Sequence, residues 1–199
     1  MPRTAPCQQI WPQPFKTLCL ALIMVLSWAM TSQVPALAQT ADWIEVQTDR
    51  LGLRMLAPPT WTTTRVDGHT LLLTGASTGP DGASTITLTN QRFPEGQSGA
   101  EGTAALVATY LSAVGARGGE YEILREAPFL WVEDGPAQDG LQVVVRLARR
   151  DGQVARQWLV AIPRTDLPVA HIWIFSTTEQ RFDGGVSLAR GMLESLRVQ

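Results

Sequence analysis

The sequence predicts an α+β domain in which a twisted antiparallel sheet carries packed helices, and three observations predict it. Two dipeptides suited to tight reversals, Asp67-Gly68 and Asp151-Gly152, each lie between stretches with the alternating pattern of strands. Segments 103–114 and 182–196 instead space their apolar residues at helical intervals. The order is then strands, a helix, several antiparallel strands and a closing helix, with no internal repeat.

The elements are preceded by a leader. Residues 1–16 carry Arg3 and Lys16 and no acidic side chain, and they run into the 13 apolar-rich residues from Leu18 to Met30. A membrane-spanning helix takes about 20 apolar residues, so this run has the length of a signal-peptide core. Small residues at Ala36 and Ala38 predict cleavage after Ala38, an uncleaved anchor being the alternative. The expected organisation is a leader over 1–38, a lead-in over 39–48 and a single α+β domain over 49–199. Both cysteines, Cys7 and Cys19, fall in the leader, so the mature chain has no thiol for a disulfide, a nucleophile or a thiolate metal site. No later segment is apolar enough for permanent membrane insertion.

Of the 16 basic residues, Arg3 and Lys16 leave with the leader, so the mature chain sets 14 arginines against 18 acidic side chains, a net charge of about −4, with no lysine. That balance argues against nucleic acid, which is held chiefly by phosphate neutralisation, and against strong attraction to anionic lipid.

Within the domain, a strand over 51–57 must stop at Pro58 and Pro59, which donate nothing to a ladder; Trp61 plugs that corner. A short earlier strand is expected near 43–46. Strands over 62–66 and 69–74 flank Asp67-Gly68, and another covers 83–89 after a loop over 75–82. Residues 93–101 read as an exposed polar loop. Leu106, Val107, Tyr110, Leu111 and Val114 form the stripe of the first helix. Strands over 121–125 and 129–133 flank a kink at Pro128. Strands over 141–149 and 154–163 meet at Asp151-Gly152, and a two-residue loop there would set Val145 opposite Trp158, Val143 opposite Val160 and Leu141 opposite Ile162. The segment 168–177 is apolar on both sides and is expected to be a central, doubly covered strand.

Few residues carry chemistry. His69 reads as an ordinary exposed residue beside a turn. His171 reads as a hydrogen-bonded sheet histidine or a ligand-binding group. Glu133, Asp134 and Asp139 cluster at a turn without the spacing of a calcium loop. Ser98 lacks the strand-elbow-helix setting of a hydrolase nucleophile, and no glycine pattern makes a phosphate loop or a dinucleotide site. No metal site, cofactor or catalytic constellation is expected. Five tryptophans remain in the mature chain, and Trp131 and Trp43 are the candidates for a binding surface, with Glu133, Asp134 and His171 beside them.

The segment from Asp49 to Trp61, a turn, a glycine, an alternating strand, proline and then tryptophan, resembles the opening of the PsbP-like, Mog1-like and DcrB-like proteins. The ending from Phe182 through Glu194-Ser-Leu-Arg-Val resembles their closing helix. The resemblance implies an α/β/α sandwich around a central antiparallel sheet with a C-terminal helix, and a non-enzymatic role. It implies structural parts for Gly52, Pro59, Trp61 and Leu196 and carries over no catalytic position. The expected function is therefore an exported accessory protein, periplasmic or extracellular, that binds another envelope protein. A small-ligand or lipid-binding module is the alternative, and an enzyme built around His171 or the 133–139 turn comes third.

Overall fold

The computed structural model describes residues 42–76, 82–117, 119–132, 137–148 and 152–198. The leader, its cleavage position after Ala38 and both cysteines lie outside the described residues, as do Glu133, Asp134 and Asp151.

Strands β1 (Ile44–Thr48) and β2 (Leu53–Ala57) are antiparallel and are joined by a turn in which Gly52 takes φ 62. That left-handed conformation carries a penalty for any residue with a Cβ, which explains the glycine in the opening signature. The chain turns again between Pro58 and Trp61, and the Trp61 indole packs against Gly75, where a Cβ would sit 2.9 Å from the ring. Strands β3 (Thr62–Arg65), β4 (Thr70–Thr74) and β5 (Thr85–Arg92) follow, then helix α1 (Gly99–Ala116). The residues expected to be loop over 93–101 are shortened from both ends: Phe93 is buried and the helix starts at Gly99.

The second half comprises β6 (Glu120–Trp131), β7 (Gln138–Ala148), β8 (Val154–Pro163), β9 (Val169–Thr178), helix α2 (Glu179–Glu194) and the short β10 (Arg197–Val198). Seven strands form one antiparallel sheet in the order β3-β4-β5-β9-β8-β7-β6, with β9 near its centre as expected. A second sheet, β1-β2-β10, accompanies it. Helix α1 covers one face of the large sheet through Leu106, Val107 and Leu111 against Val143, Val145, Leu159 and Ile172. Helix α2 and the small sheet cover the other, where Phe182, Met192 and Leu193 meet Trp158, Val160, Trp173 and Phe175.

Three expectations are corrected. The β7–β8 register places Val143 opposite Leu159, Val144 opposite Trp158 and Leu141 opposite Ala161. Ala148 pairs with Val154, one residue off the register that a two-residue loop at Asp151-Gly152 would set, and Val143 and Trp158 face opposite sides of the sheet. A one-residue slip exchanges faces, and because β8 is buried on both, with Trp158, Val160 and Ile162 on one and Leu159 and Ala161 on the other, its own pattern does not fix its pairing with β7. Second, β6 is continuous through Pro128, which an edge strand tolerates; the irregularity is a bulge at Leu124. Third, the closing helix ends at Glu194 rather than at Leu196. Ser195 Oγ then accepts a hydrogen bond from Leu56 N at 2.9 Å, Leu196 is fully buried, and Arg197 pairs with Arg54 to extend the small sheet. The Ser-Leu-Arg step is thus a stitch between the end of the chain and β2.

Candidate functional site

The bulge at Leu124 decides which way the end of β6 faces. Ile123 pairs with Val145, which lies under α1, whereas Arg125 pairs with Val144, on the α2 side. The extra residue reverses the alternation, so Arg125, Phe129 and Trp131 turn toward α2. There they meet Trp158 and Gln142 from β8 and β7, and Arg190, Leu193 and Glu194, which lie at helical spacing on one face of α2. Together with Leu130, Val132 and Arg197 these residues line a cavity of about 550 Å³.

The inner wall is aromatic. Phe129 and Trp131 stack with centroids 6.4 Å apart, and Trp158 meets Trp173 edge-on at 5.2 Å. Trp158 Nε1 donates to Gln142 Oε1 at 3.3 Å, and Gln142 Nε2 donates to the Pro128 carbonyl at 3.2 Å, which braces β6, β7 and β8 against one another. Trp131 Nε1 is buried and has no acceptor among the described residues. Leu130 alternates with Phe129 and Trp131 and so projects from the other face of β6; it and Val132 are 62% and 64% exposed, whereas the Trp131 between them is only 6% exposed.

Among the described residues three arginines line this cavity against one carboxylate, Glu194. The Arg190 guanidinium lies over the Trp158 ring. Arg197 Nη1 donates to the carbonyls of Glu194 and Leu196 at 2.9 and 2.7 Å. Among the described residues, neither these two nor Arg125 has a carboxylate partner. The ion pairs of the domain lie elsewhere: Arg156 holds Glu179 and Asp183 at the start of α2, and Arg164 holds Asp166.

Of the residues singled out in the sequence, Trp131 lines the cavity, as its buried wall and not as an exposed patch. Trp43 is half-buried against Gly191 of α2 and is not among the lining residues. His171 is 1% exposed. Its Nδ1 lies 2.5 Å from Asn90 Oδ1, and Asn90 Nδ2 donates to the Leu51 carbonyl at 3.0 Å, so the imidazole ties β9 to β5 and to the β1–β2 turn. Burial and the nearby Arg164 hold its pKa down to about 4, against a partial opposing effect of Asp166. His69 is exposed. Among the described residues no three histidine, cysteine or acidic side chains converge to hold a metal ion, and no helix is long and apolar enough to cross a membrane. Sequence reading missed Arg125, Arg190 and Arg197, of which Arg125 is distant along the chain from the other two; the helical spacing of Arg190, Leu193 and Glu194 was the one legible signal.

No protein-family model matches the chain, and neither does any curated protein sequence. Solved structures do. The cyanobacterial PsbP of Synechocystis sp. PCC 6803 superposes with a TM-score of 0.59 at 16% identity, covering 80% of this chain and 94% of that one. The Ran-binding protein Mog1p of Saccharomyces cerevisiae gives 0.54 at 12% identity, covering 78% and 95%. The chain has the PsbP/Mog1-like fold. The Pseudomonas aeruginosa protein PA94 shares the architecture at a TM-score of 0.51 and 12% identity, over 79% of this chain and 97% of that one. The PsbP/Mog1-like fold accounts for the opening and closing signatures as its structural joints, the Gly52 turn, the Trp61 corner and the Ser195 stitch.

Proposed function

We propose that this chain is an exported, non-catalytic accessory protein that docks a segment of another envelope protein in the groove between β6 and α2. The observation that carries the reading is a preformed aromatic wall bordered by a strand end whose neighbouring apolar side chains, Leu130 and Val132, are exposed. Apolar side chains gathered at a concave site are what a partner covers. The leader read from the sequence supports export, and Mog1p, a Ran-binding protein, supports the use of this fold for protein binding. Docking in the groove fits better than addition of a strand to the β6 edge, because Pro128 and the Leu124 bulge interrupt that edge. A second reading, a small-ligand module, is favoured by the cavity's volume of about 550 Å³, which suits a compact organic molecule.

The test is photocrosslinking in the native host from position 130, with exposed Asp67 as the control position, followed by reconstitution with the purified captured protein. A protein captured at 130 and not at 67, whose purified complex is weakened by Leu130→Glu, supports docking. Absence of such a complex, with a small molecule co-purifying instead, moves the assignment to the ligand-binding reading.

A further inference from the structure

We infer that the groove selects an acidic segment: its occupant is a stretch of partner polypeptide carrying a carboxylate side chain between apolar neighbours, seated among Arg125, Arg190 and Arg197. The inference rests on the docking reading above and adds the chemistry of what is docked.

Charge is the first argument. The mature chain is net acidic at about −4, yet three of its arginines converge on this one cavity with a single carboxylate, Glu194, among the described lining residues. They come from β6, α2 and β10, so their meeting is a product of the fold and not of a basic run in the sequence. Among the described residues only Arg156 and Arg164 pair with carboxylates, so these three, like the other arginines, keep their charge unneutralised; what sets them apart is that they line one cavity.

Preorganisation is the second argument. Arg190 is held over Trp158 and Arg197 is held by two carbonyls, which reduces the side-chain freedom to be lost on binding. A planar guanidinium offers paired N–H groups that match a carboxylate. The buried Trp131 Nε1 adds a donor without an acceptor in the same wall, and buried donors in folded proteins are nearly always matched. A polypeptide accounts for the strand end as well: a small carboxylate inside the cavity would leave Leu130 and Val132 bare, whereas apolar residues flanking an acidic one can extend over the end of β6 that carries them.

The probes are three capped peptides of alternating valine and threonine that differ only in a central glutamate, glutamine or lysine, titrated against the exported chain with tryptophan fluorescence as readout. The glutamate peptide is expected to bind about tenfold more tightly than the glutamine peptide, as a charge-assisted hydrogen bond gained in place of a neutral one implies, and the lysine peptide more weakly still. The double variant Arg125→Ala with Arg190→Ala, checked to be folded by a cooperative urea transition well above the assay conditions, should bind the glutamate and glutamine peptides equally, and Arg190→Lys should restore part of the preference. Equal affinity of the wild-type chain for all three peptides overturns the acidic selection while leaving the docking reading intact wherever the position-130 complex forms. Absence of both peptide binding and that complex removes the two together. Tight binding of benzoate with no peptide binding overturns the polypeptide occupant in favour of a small carboxylate.

Discussion

The Arg190 guanidinium stands 5.8 Å from the centroid of the Trp158 ring, joining the last turns of α2 to the middle of β8 across the cavity floor. Such a contact between a half-wet cation and an indole contributes about 0.5–1 kcal/mol. A double-mutant cycle of Arg190→Ala and Trp158→Leu, read by urea denaturation, should return a coupling energy of that size. The single Trp158 change should be the larger, at about 3 kcal/mol, because a buried indole is lost with it.

The end of the chain is held by one hydroxyl. Ser195 Oγ accepts from Leu56 N and donates to the Met192 carbonyl at 2.7 Å. Replacing Ser195 with alanine leaves a part-buried amide without its acceptor, so Ser195→Ala should destabilise the domain by about 1–2 kcal/mol, measured as a shift in the urea midpoint at constant slope.

Gly140 lies where β7 passes closest to its neighbours. A Cβ there would stand 2.4 Å from the Ala161 carbonyl oxygen and 3.2 Å from that of Phe129, and both obstacles are backbone. Gly140→Ala must therefore displace β6 or β8, at a cost of about 1–3 kcal/mol. Because Phe129 borders the cavity, the same variant should alter the tryptophan emission of the folded protein.

His171 makes stability depend on pH with a definite sign. Its pKa is depressed to about 4 in the folded chain from 6.5, so the unfolded chain takes up the proton first as pH falls. The stabilisation is complete above about pH 6.5, is lost as pH falls toward 4 and is constant below, with a slope of at most about 1.4 kcal/mol per unit. Comparing urea denaturation at pH 7 and pH 5, the wild-type chain should lose up to about 2 kcal/mol that His171→Gln does not lose. Parallel pH curves for the two proteins would show that the imidazole titrates normally.

Leu130 is exposed and packs little, so Leu130→Glu should change stability by less than about 0.5 kcal/mol. Under the docking reading the same substitution places a carboxylate on the apolar end of β6 and should sharply reduce capture of the partner by a photoreactive residue at position 132. Full capture by a normally folded variant would remove that strand end from the interface.

Local chemistry made much of the architecture legible. Gly52, the Pro58-Pro59 stop and Trp61 mark where the chain must turn, whereas Asp67-Gly68 lies in the β3–β4 connection without the positive φ of a tight hairpin; the apolar stripe from Leu106 to Val114 marks a helix because residues at those intervals share one face. The doubly apolar segment around Trp173 is readable as a central strand for the same reason: only a strand covered on both sides has no polar face to show.

What the amino-acid sequence determined by itself was therefore most of the inventory of elements, which follows from the φ preferences of glycine and proline and from side-chain periodicity, although β6 reads as two strands and β10 is not legible. The tertiary structure alone decided the β7–β8 register, because β8 is buried on both faces and its own pattern does not fix the pairing. It also decided the site. Arg125 faces α2 only because Leu124 bulges, and its approach to Arg190 and Arg197 depends on which strand lies at the sheet edge and where α2 crosses it. Those are consequences of packing between segments some 65 to 72 positions apart, and local sequence carries no record of them.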